Sequence, residues 1–311
     1  MELIRNKTHI DFVGIRNYAF AFSGILILIS VLSFIFQGLN FGIDFAGGTL
    51  IQMRFPGPTK IEDIRSHVTP LGLGELVIQE FGSSEEVIIR VERHMEGEKV
   101  QSELVGKLTQ VLQPLAGNGK IEVRRVEYVG PQVGKELTWK GLMAVFYSLF
   151  AILAYVGWRF EFRFALGAVI ALFHDVIITV GYFSLFHREF TLVVVAAVLT
   201  VIGYSINDTI VVFDRIRENM KRLKKQPLSV IINAAVNETL SRTLITSLTV
   251  VLVLVSLLLV GGEVIRDFSL ALFIGVVFGT YSSIFVASPI VILLEKKLTS
   301  QIPAVETSNG Q

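Results

Sequence analysis

Residues 249–260 read Thr-Val-Val-Leu-Val-Leu-Val-Ser-Leu-Leu-Leu-Val and contain no charged side chain. A helix of about 20 apolar residues spans the hydrocarbon core of a bilayer, and this run extends from Leu244 to Val260. The whole chain has the same character, because 52% of its 311 residues are hydrophobic and 18% are charged. Soluble domains are about 25% charged. The sequence therefore predicts a membrane protein.

Five further apolar runs give a total of six predicted transmembrane helices. Their predicted bounds are 18–36, 139–158, 163–186, 190–213, 242–261 and 267–294. The second helix reaches about 20 residues because Trp139 and Trp158 serve as its interfacial ends. The apolar run at 18–36 is too long for a signal-peptide core, and no small-residue cleavage site follows it directly. We therefore predict that it is a retained transmembrane span. Six crossings place both termini on one side.

The distribution of Lys and Arg predicts which side that is, since short cytoplasmic segments retain these residues. One side carries Arg5, Lys7, Arg16, Arg159, Arg163, Arg215, Arg217, Lys221, Arg222, Lys224, Lys225, Lys296 and Lys297. The opposite short loops carry Arg188 and Arg266. We therefore expect cytoplasmic termini and one long external segment. The predicted cytoplasmic segments are 1–17, 214–241 and 295–311, and the external segment is 37–138.

The external segment has the composition of a small soluble domain. Strand patterns occur at 49–55, 75–81, 86–92 and 121–129, and helical patterns at 59–68 and 97–115. The resulting order is βαββαβ, which is the ferredoxin-like plan. The predicted fold class is thus a polytopic α-helical membrane protein with one α+β domain between its first two helices.

The segment 214–241 contains apolar residues at helical spacing. These residues are Leu228, Ile231, Ile232, Ala235, Val236 and Leu240. Two interpretations of this amphipathic helix stay open: it lies along the membrane surface, or it packs against the ends of the bundle.

The fourth predicted span contains a polar cluster at 202–210, which includes Tyr204, Ser205, Asn207, Asp208 and Thr209. A carboxylate at mid-membrane costs about 2.5–3.5 kcal/mol, whereas each Leu or Val returns only a few tenths. Asp208 lies seven residues before Arg215, which corresponds to a depth of about 10 Å. We interpret Asp208 as a proton-binding group; simple solvation near the headgroups is the alternative.

Arg242 begins the fifth predicted span at a depth close to that of Asp208. An Arg beside a membrane carboxylate stabilises its charged form, so the two residues could form a switch. The alternative is an ordinary interfacial cation of the cytoplasmic side.

Three further residues are secondary candidates: Asp175 in the third span, Asn207, and Asp214 at the predicted interface. Asp175 follows His174, and adjacent residues on a helix point about 100° apart, so the two should not share a close partner. Either could join a proton path or make hydrogen bonds between helices. Asp214 could set the depth of the helix or form a proton entry gate.

Composition also excludes several functions. The net charge of +1 argues against nucleic-acid binding, and zero cysteines exclude disulfides, thiol catalysis and Cys-ligated metal. An intramembrane aspartyl protease would need Asp175 and Asp208 to share a proton, but neither has the required Gly-rich motif and Arg242 would disturb the shared proton. We predict no enzymatic activity, metal or cofactor.

Four stretches resemble the SecF branch of the SecD/SecF family, which belongs to the resistance-nodulation-division superfamily. They are Phe-Gly-Ile-Asp-Phe-Ala-Gly-Gly-Thr at 41–49, Val-Gly-Pro-Gln-Val-Gly at 129–134, the segment 202–219 around Asp208, and Ser-Arg-Thr-Leu-Ile-Thr-Ser at 241–247. They occur in the family's order over almost the whole chain.

The resemblance implies a subunit of the Sec protein-export machinery in the bacterial cytoplasmic (inner) membrane. It implies SecD and the SecYEG translocon as partners, YajC as a further candidate, and an unfolded exported polypeptide and the lipid bilayer as contacts. The proton gradient would supply energy for late translocation. Position by position, Asp208 and Arg242 match the family's proton relay, and the motif after the first helix supplies Gly42, Asp44, Gly47 and Gly48.

Two alternatives to this function remain. A proton-driven exporter of lipids or small molecules would use the same relay, but such exporters generally have much larger external domains. A structural scaffold for SecD would need no proton flux at all.

Overall fold

The computed structural model describes residues 8–74, 76–91 and 98–299. In chain order the elements are α1 (Arg16–Phe36), β1 (Asn40–Phe41), α2 (Ile43–Ala46), β2 (Gly48–Arg54), α3 (Ile61–Val68), β3 (Leu76–Phe81), β4 (Ser83–Val91), α4 (Glu98–Leu112), β5 (Glu122–Val129), α5 (Pro131–Arg159), α6 (Phe162–Leu185), β6 (Glu189–Phe190), α7 (Leu192–Arg222), α8 (Leu228–Val260), α9 (Gly262–Ser282) and α10 (Ser288–Thr299).

Six helices in the described part of the chain are long and apolar enough to cross a membrane. They are α1, α5, α6, α7, α8 and the unit formed by α9 and α10, which a π-helical turn at Ser283–Ala287 joins. The predicted number of transmembrane helices is therefore confirmed.

The centre of the bundle consists of α6, α7 and α9. In their most apolar windows 61%, 50% and 56% of residues are buried, whereas the values for α5 and α8 are 11% and 17%. Close approach of α7 and α9 depends on Gly275, since a Cβ there would lie 2.1 Å from the side chain of Val201. Polar groups on the inner faces of these three helices are thus shielded from lipid, while α5 and α8 are peripheral.

The segment 214–241 differs from the expected loop with a separate amphipathic helix. Helix α7 continues to Arg222, and the amphipathic stretch is the first part of the unbroken helix α8. Its apolar residues are buried in the main core of the bundle, among them Ile232, Ala235 and Val236. This geometry favours packing against the bundle over a position along the membrane surface, because the stretch has hydrophobic partners within the chain.

The start of α8 also holds the N-terminal segment. Asn237 donates to the carbonyl oxygen of Ile10 at 2.8 Å and accepts from its N–H at 2.9 Å. Asn233 accepts a hydrogen bond from the N–H of Val13 at 3.2 Å. These contacts fix the chain just before α1.

Strands β2 to β5 form one antiparallel sheet in the order β3-β4-β2-β5. Strand β4 lies between β2 and β3, so the βαβ unit is split as in the ferredoxin-like plan. Alternating side chains such as Ile51, Met53 and Ile89 point to one face, where α3 and α4 cover them and Leu108 completes the core. The predicted α+β domain and its element order are confirmed; Glu75 and residues 92–97, at the ends of predicted elements, lie outside the described residues.

Candidate functional site

Asp208 lies on the inner face of α7 with 4% of its surface exposed. Its described hydrogen-bond contact is the Ser247 hydroxyl on α8, at 3.4 Å from Oδ2. The same hydroxyl lies 2.6 Å from Thr280 Oγ1, and Thr280 already donates its hydrogen to the carbonyl of Val276. Ser247 donates to Asp208 and has only one hydrogen, so this donation competes with its contact with Thr280. The described donor to the Asp208 carboxyl is therefore both long and shared.

Arg242 does not contact Asp208. Its side chain is exposed, and no ion pair joins it to Asp208 in the described residues, although its charge acts on the carboxyl at longer range. The helical geometry of α8 explains this. Each residue of an α-helix is rotated by about 100° from the one before it, so side chains five positions apart point about 140° away from each other. Ser247 faces Asp208, and Arg242 therefore points elsewhere. Counting depth along the sequence gives no information on that direction.

Asp175 occupies a different environment in the middle of α6, with 0% exposure. Its Oδ2 accepts hydrogen bonds from Ser205 on α7 at 2.6 Å and from Ser282 on α9 at 2.8 Å. Its Oδ1 lies 2.9 Å from Nδ1 of His174. The sequence argument concerned a third partner shared by the two adjacent residues, and it did not predict this direct contact between them. The carboxyl group thus connects three helices.

His174 extends the network to α1. Its Nε2 lies 3.2 Å from Ser23 Oγ, and its ring stacks on Tyr281 of α9 with the centroids 6.1 Å apart. Ser23 also contacts the Tyr281 hydroxyl at 3.1 Å, and Tyr281 donates to the carbonyl of Ala19 at 2.8 Å. Ser23, Ser205, Tyr281 and Ser282 were not predicted. Their only sequence signal is a hydroxyl within an apolar run, which many membrane helices share.

The other two secondary candidates lie outside this buried core. Asn207 is exposed on the outer face of α7. Asp214 forms an ion pair with Arg159 at 3.2 Å, and about half of each side chain is exposed (47% and 43%). A surface pair of this kind contributes little to stability and is consistent with an interfacial position.

The motif after α1 joins the sheet domain to α7. Asp44 Oδ2 accepts a hydrogen bond at 2.8 Å from the N–H of Leu192, the first residue of α7, so its carboxylate lies at the positive end of that helix. Gly47 and Gly48 have φ angles of +75° and +110°, which side chains rarely adopt, and they turn the chain from α2 into β2. All three residues therefore serve one junction.

Gly42 belongs to the same junction through strands β1 and β6. Those strands pair in parallel, and the Gly42 N–H donates to the carbonyl of Phe190 at 2.9 Å. A Cβ on Gly42 would lie 2.9 Å from Thr191. The N-terminal end of α7 is thus in close contact with the motif.

Arg90 and Glu189 form a second contact between the sheet and this connection. They lie 3.6 Å apart and are largely buried, and Arg90 also donates to the carbonyl of Phe41. Burial raises the pKa of the Glu189 carboxyl above its ordinary value, while the positive charge of Arg90 opposes the shift. Sequence reasoning missed this pair, since its members are far apart in the chain.

The described side chains contain no cluster of three or more His, Cys, Asp or Glu residues that could hold a metal ion. What the arrangement offers is two buried carboxyl groups on adjacent helices and a rigid connection from one of those helices to the sheet domain. A carboxyl group in such surroundings can bind and release a proton.

Comparison with known proteins gives consistent results over nearly the whole chain. Residues 108–297 match the family model described as protein export membrane protein SecD/SecF, C-terminal, and residues 32–55 match the SecD/SecF GG motif. The chain is 59% identical over 295 residues to the protein translocase subunit SecF of Magnetococcus marinus, covering 95% of both chains. It is 48% identical to the corresponding subunit of Calditerrivibrio nitroreducens, covering 95% of this chain and 97% of the relative.

Two solved structures share the fold. The crystal structure of SecDF, a translocon-associated membrane protein from Thermus thermophilus, superposes with a TM-score of 0.85 at 37% identity over 95% of this chain. A structure of SecDF in a super-membrane-facing form gives a TM-score of 0.70 at 37% identity over 97% of this chain. In both cases the chain spans 40% of the length of the SecDF chain.

Proposed function

We propose, because this chain belongs to the SecF branch of the SecD/SecF family, that it assists protein export. In this proposal, binding and release of a proton at Asp208 cause movement of the sheet domain. Its role in the Sec machinery is accessory, as that of a translocase subunit. An exporter of lipids or small molecules is not favoured by its relatives.

The observation that carries the proposal is the continuity of α7. Asp44 binds the first residue of this helix, and Asp208 lies on the same helix sixteen positions further on. At 1.5 Å per residue this is about 24 Å of rigid helix. A change in the packing of α7 around Asp208 would therefore move the attachment point of the sheet domain.

Arg242 has a supporting role in this proposal. Because it lies apart from Asp208 in the present arrangement, the relay requires it to approach when Asp208 loses its proton. Moving one charge through the membrane field is worth about 2.3 kcal/mol per 100 mV, which is comparable to the difference between two conformations of a protein.

The orientation in the membrane is also part of the proposal. The Lys and Arg distribution supports cytoplasmic termini and an external sheet domain. Single cysteines introduced into this Cys-free chain test it with an impermeant thiol reagent. Labelling of a cysteine near Lys224 from outside intact cells would show that the orientation is the opposite of the proposed one.

The partners follow from the same proposal. The SecDF chain is described as translocon-associated, and the remaining 60% of it has no counterpart here. We propose that SecD supplies that part, that the assembly works with SecYEG and YajC, and that an unfolded exported chain is its substrate. Co-purification of this chain with SecD and SecYEG tests the association.

The decisive experiment is Asp208→Asn. Asparagine keeps the size of the side chain but cannot ionise, so export stimulated by the membrane potential should be lost while insertion and SecD association stay normal. Asp214→Asn is the matched control because the same change is made on the same helix at an exposed site. Arg242→Met should resemble Asp208→Asn.

Asp44→Ala separates coupling from proton binding. It removes the acceptor for Leu192 and should reduce export without changing Asp208, whereas Asp44→Asn keeps an oxygen acceptor and should be milder. Normal potential-stimulated export by Asp208→Asn at wild-type abundance would reject the relay and favour the SecD scaffold.

A further inference from the structure

The pair His174–Asp175 is buried in the centre of the bundle and is not used by the proposed relay. The two residues have 3% and 0% exposure. In the described residues neither has an ion-pair partner on another helix, so the charge state of the pair is set within α6 and by the hydroxyl groups around it.

Counting hydrogens along the network gives the charge state in which every contact is a hydrogen bond. The Tyr281 hydroxyl donates its one hydrogen to the carbonyl of Ala19, so in its contact with Tyr281 the Ser23 hydroxyl must be the donor. Ser23 then has no hydrogen for His174, and Nε2 of the imidazole must donate to Ser23.

The other end of the pair is counted in the same way. Ser205 and Ser282 both donate to Oδ2 of Asp175, and a proton lies between Oδ1 and Nδ1 of His174. All contacts are hydrogen bonds at once only if the pair holds two protons, one on Nε2 and one between Nδ1 and Oδ1. The pair is then neutral overall, which suits its burial in a membrane.

We propose that His174–Asp175 is a second proton-binding site, whose occupancy is coupled to the contact between α1 and α9. Release of the proton from Nε2 to water leaves a neutral imidazole beside the Asp175 carboxylate. Nε2 then becomes an acceptor, Ser23 turns to donate to it, and the hydrogen bond from Ser23 to Tyr281 is lost. The use of this site in protein export rests on the proposed function. Whether the site holds a proton does not depend on the proposed function.

The groups packed around the pair leave few competitors for this proton. Helix α1 contributes Ser23 and has no charged residue after Arg16, α9 contributes Tyr281 and Ser282, and α7 contributes Ser205. Asp208, one turn beyond Ser205, is the acidic group of α7 that lies nearest along that helix. It serves as the internal control in the test.

The test is ¹⁵N NMR of the full-length chain, with SecD, in lipid nanodiscs at pH 7. The chain has 5 histidines, so the His174 signals are assigned from their loss in His174→Gln. We expect Nε2 of His174 to be protonated. A non-protonated Nε2 in the wild type would overturn the proposal.

Two variants test the coupling. Asp175→Asn removes the compensating charge and should convert His174 to the neutral ring. Tyr281→Phe removes the acceptor of the Ser23 hydroxyl, which can then donate to Nε2, so the spectrum should shift toward the neutral ring even if Asp175→Asn does not fold. An unchanged His174 spectrum in Tyr281→Phe would refute the coupling to α9.

Asp208→Asn distinguishes this site from the proposed relay. The His174 signals should remain those of the wild type, whatever happens to export. Loss of the His174 proton in Asp208→Asn would show one shared site instead of two and overturn the proposal, whereas normal export with an intact His174 signal would reject the relay alone.

Discussion

Asp175 and Asp208 are both buried carboxyl groups in the centre of the same helix bundle, yet their surroundings differ. Two hydroxyl groups and an imidazole surround Asp175 at 2.6 to 2.9 Å. In the described residues Asp208 has one hydrogen-bond donor, the Ser247 hydroxyl at 3.4 Å, which also contacts Thr280 at 2.6 Å. Thr243, one turn before Ser247 on the facing side of α8, is a buried hydroxyl without a hydrogen-bond partner in the described structure.

The difference separates two uses of a carboxyl group in a membrane. A carboxylate with its donors in place stabilises the packing of the helices that supply them, and its charge is compensated locally. A buried carboxylate with a single long, shared donor costs more free energy when it ionises, so its charge state responds to other charged groups that approach it. Burial alone does not distinguish the two; the count of donors does.

The largest expected effect is that of Asp175→Ala. It leaves the hydroxyls of Ser205 and Ser282 and the His174 ring without their common partner, and removing one member of a buried pair costs about 3–5 kcal/mol. The free energy of unfolding in mixed micelles measures this. If Asp175→Ala lowered the free energy of unfolding by less than Asp208→Ala does, the proposed difference between Asp175 and Asp208 would be wrong.

Ser282→Ala should cost less, because it removes one of three donors. A hydrogen bond to a charged group contributes about 1.5–3 kcal/mol. The same unfolding titration checks the value, with Ser256→Ala as the control, since that hydroxyl is exposed and bonds only within its own helix at 2.9 Å.

Asp208→Asn should change the free energy of unfolding by less than about 1 kcal/mol, since the described donor to the carboxylate, Ser247, lies 3.4 Å away and also contacts Thr280. Its effect is expected in export and not in stability. A destabilisation equal to that of Asp175→Ala would mean that Asp208 has partners as strong as those of Asp175.

Arg242→Met should have the smallest effect on stability, within about 0.5 kcal/mol, because the side chain is exposed and lies outside the buried network. Unfolding measured beside Asp208→Asn is the check. A loss of several kcal/mol would indicate that the two residues already form a pair.

Much of the fold was predictable because hydropathy and charge act locally. Six spans and the βαββαβ order follow from patterns that extend over one element at a time. The unbroken helix α8 was missed because its charged and polar positions, including Asn237 and Arg242, lower the hydropathy without breaking the helix. The helix contains no Pro or Gly; Pro227 precedes it and Gly261 follows it.

The site was predicted only in part. The cost of a buried charge points to Asp208 and Asp175 from sequence alone. The direction of Arg242 and the partners of His174 depend on the rotation of helices and on contacts between residues more than 100 positions apart. The role of Asp44 as the acceptor for Leu192 is of the same kind, because it is created by the tertiary fold.

Helix α8 has 33 residues and is therefore about 50 Å long, while the hydrocarbon core is about 30 Å thick. Roughly 20 Å of it extends beyond the core and acts as a lever on the N-terminal segment that Asn233 and Asn237 hold. A tilt of about 10° in the membrane would displace the far end by roughly 3 Å. A rearrangement next to Ser247 would thus be amplified at the N-terminal end of α8, where a spin label on Asn17 could record it as a change in distance.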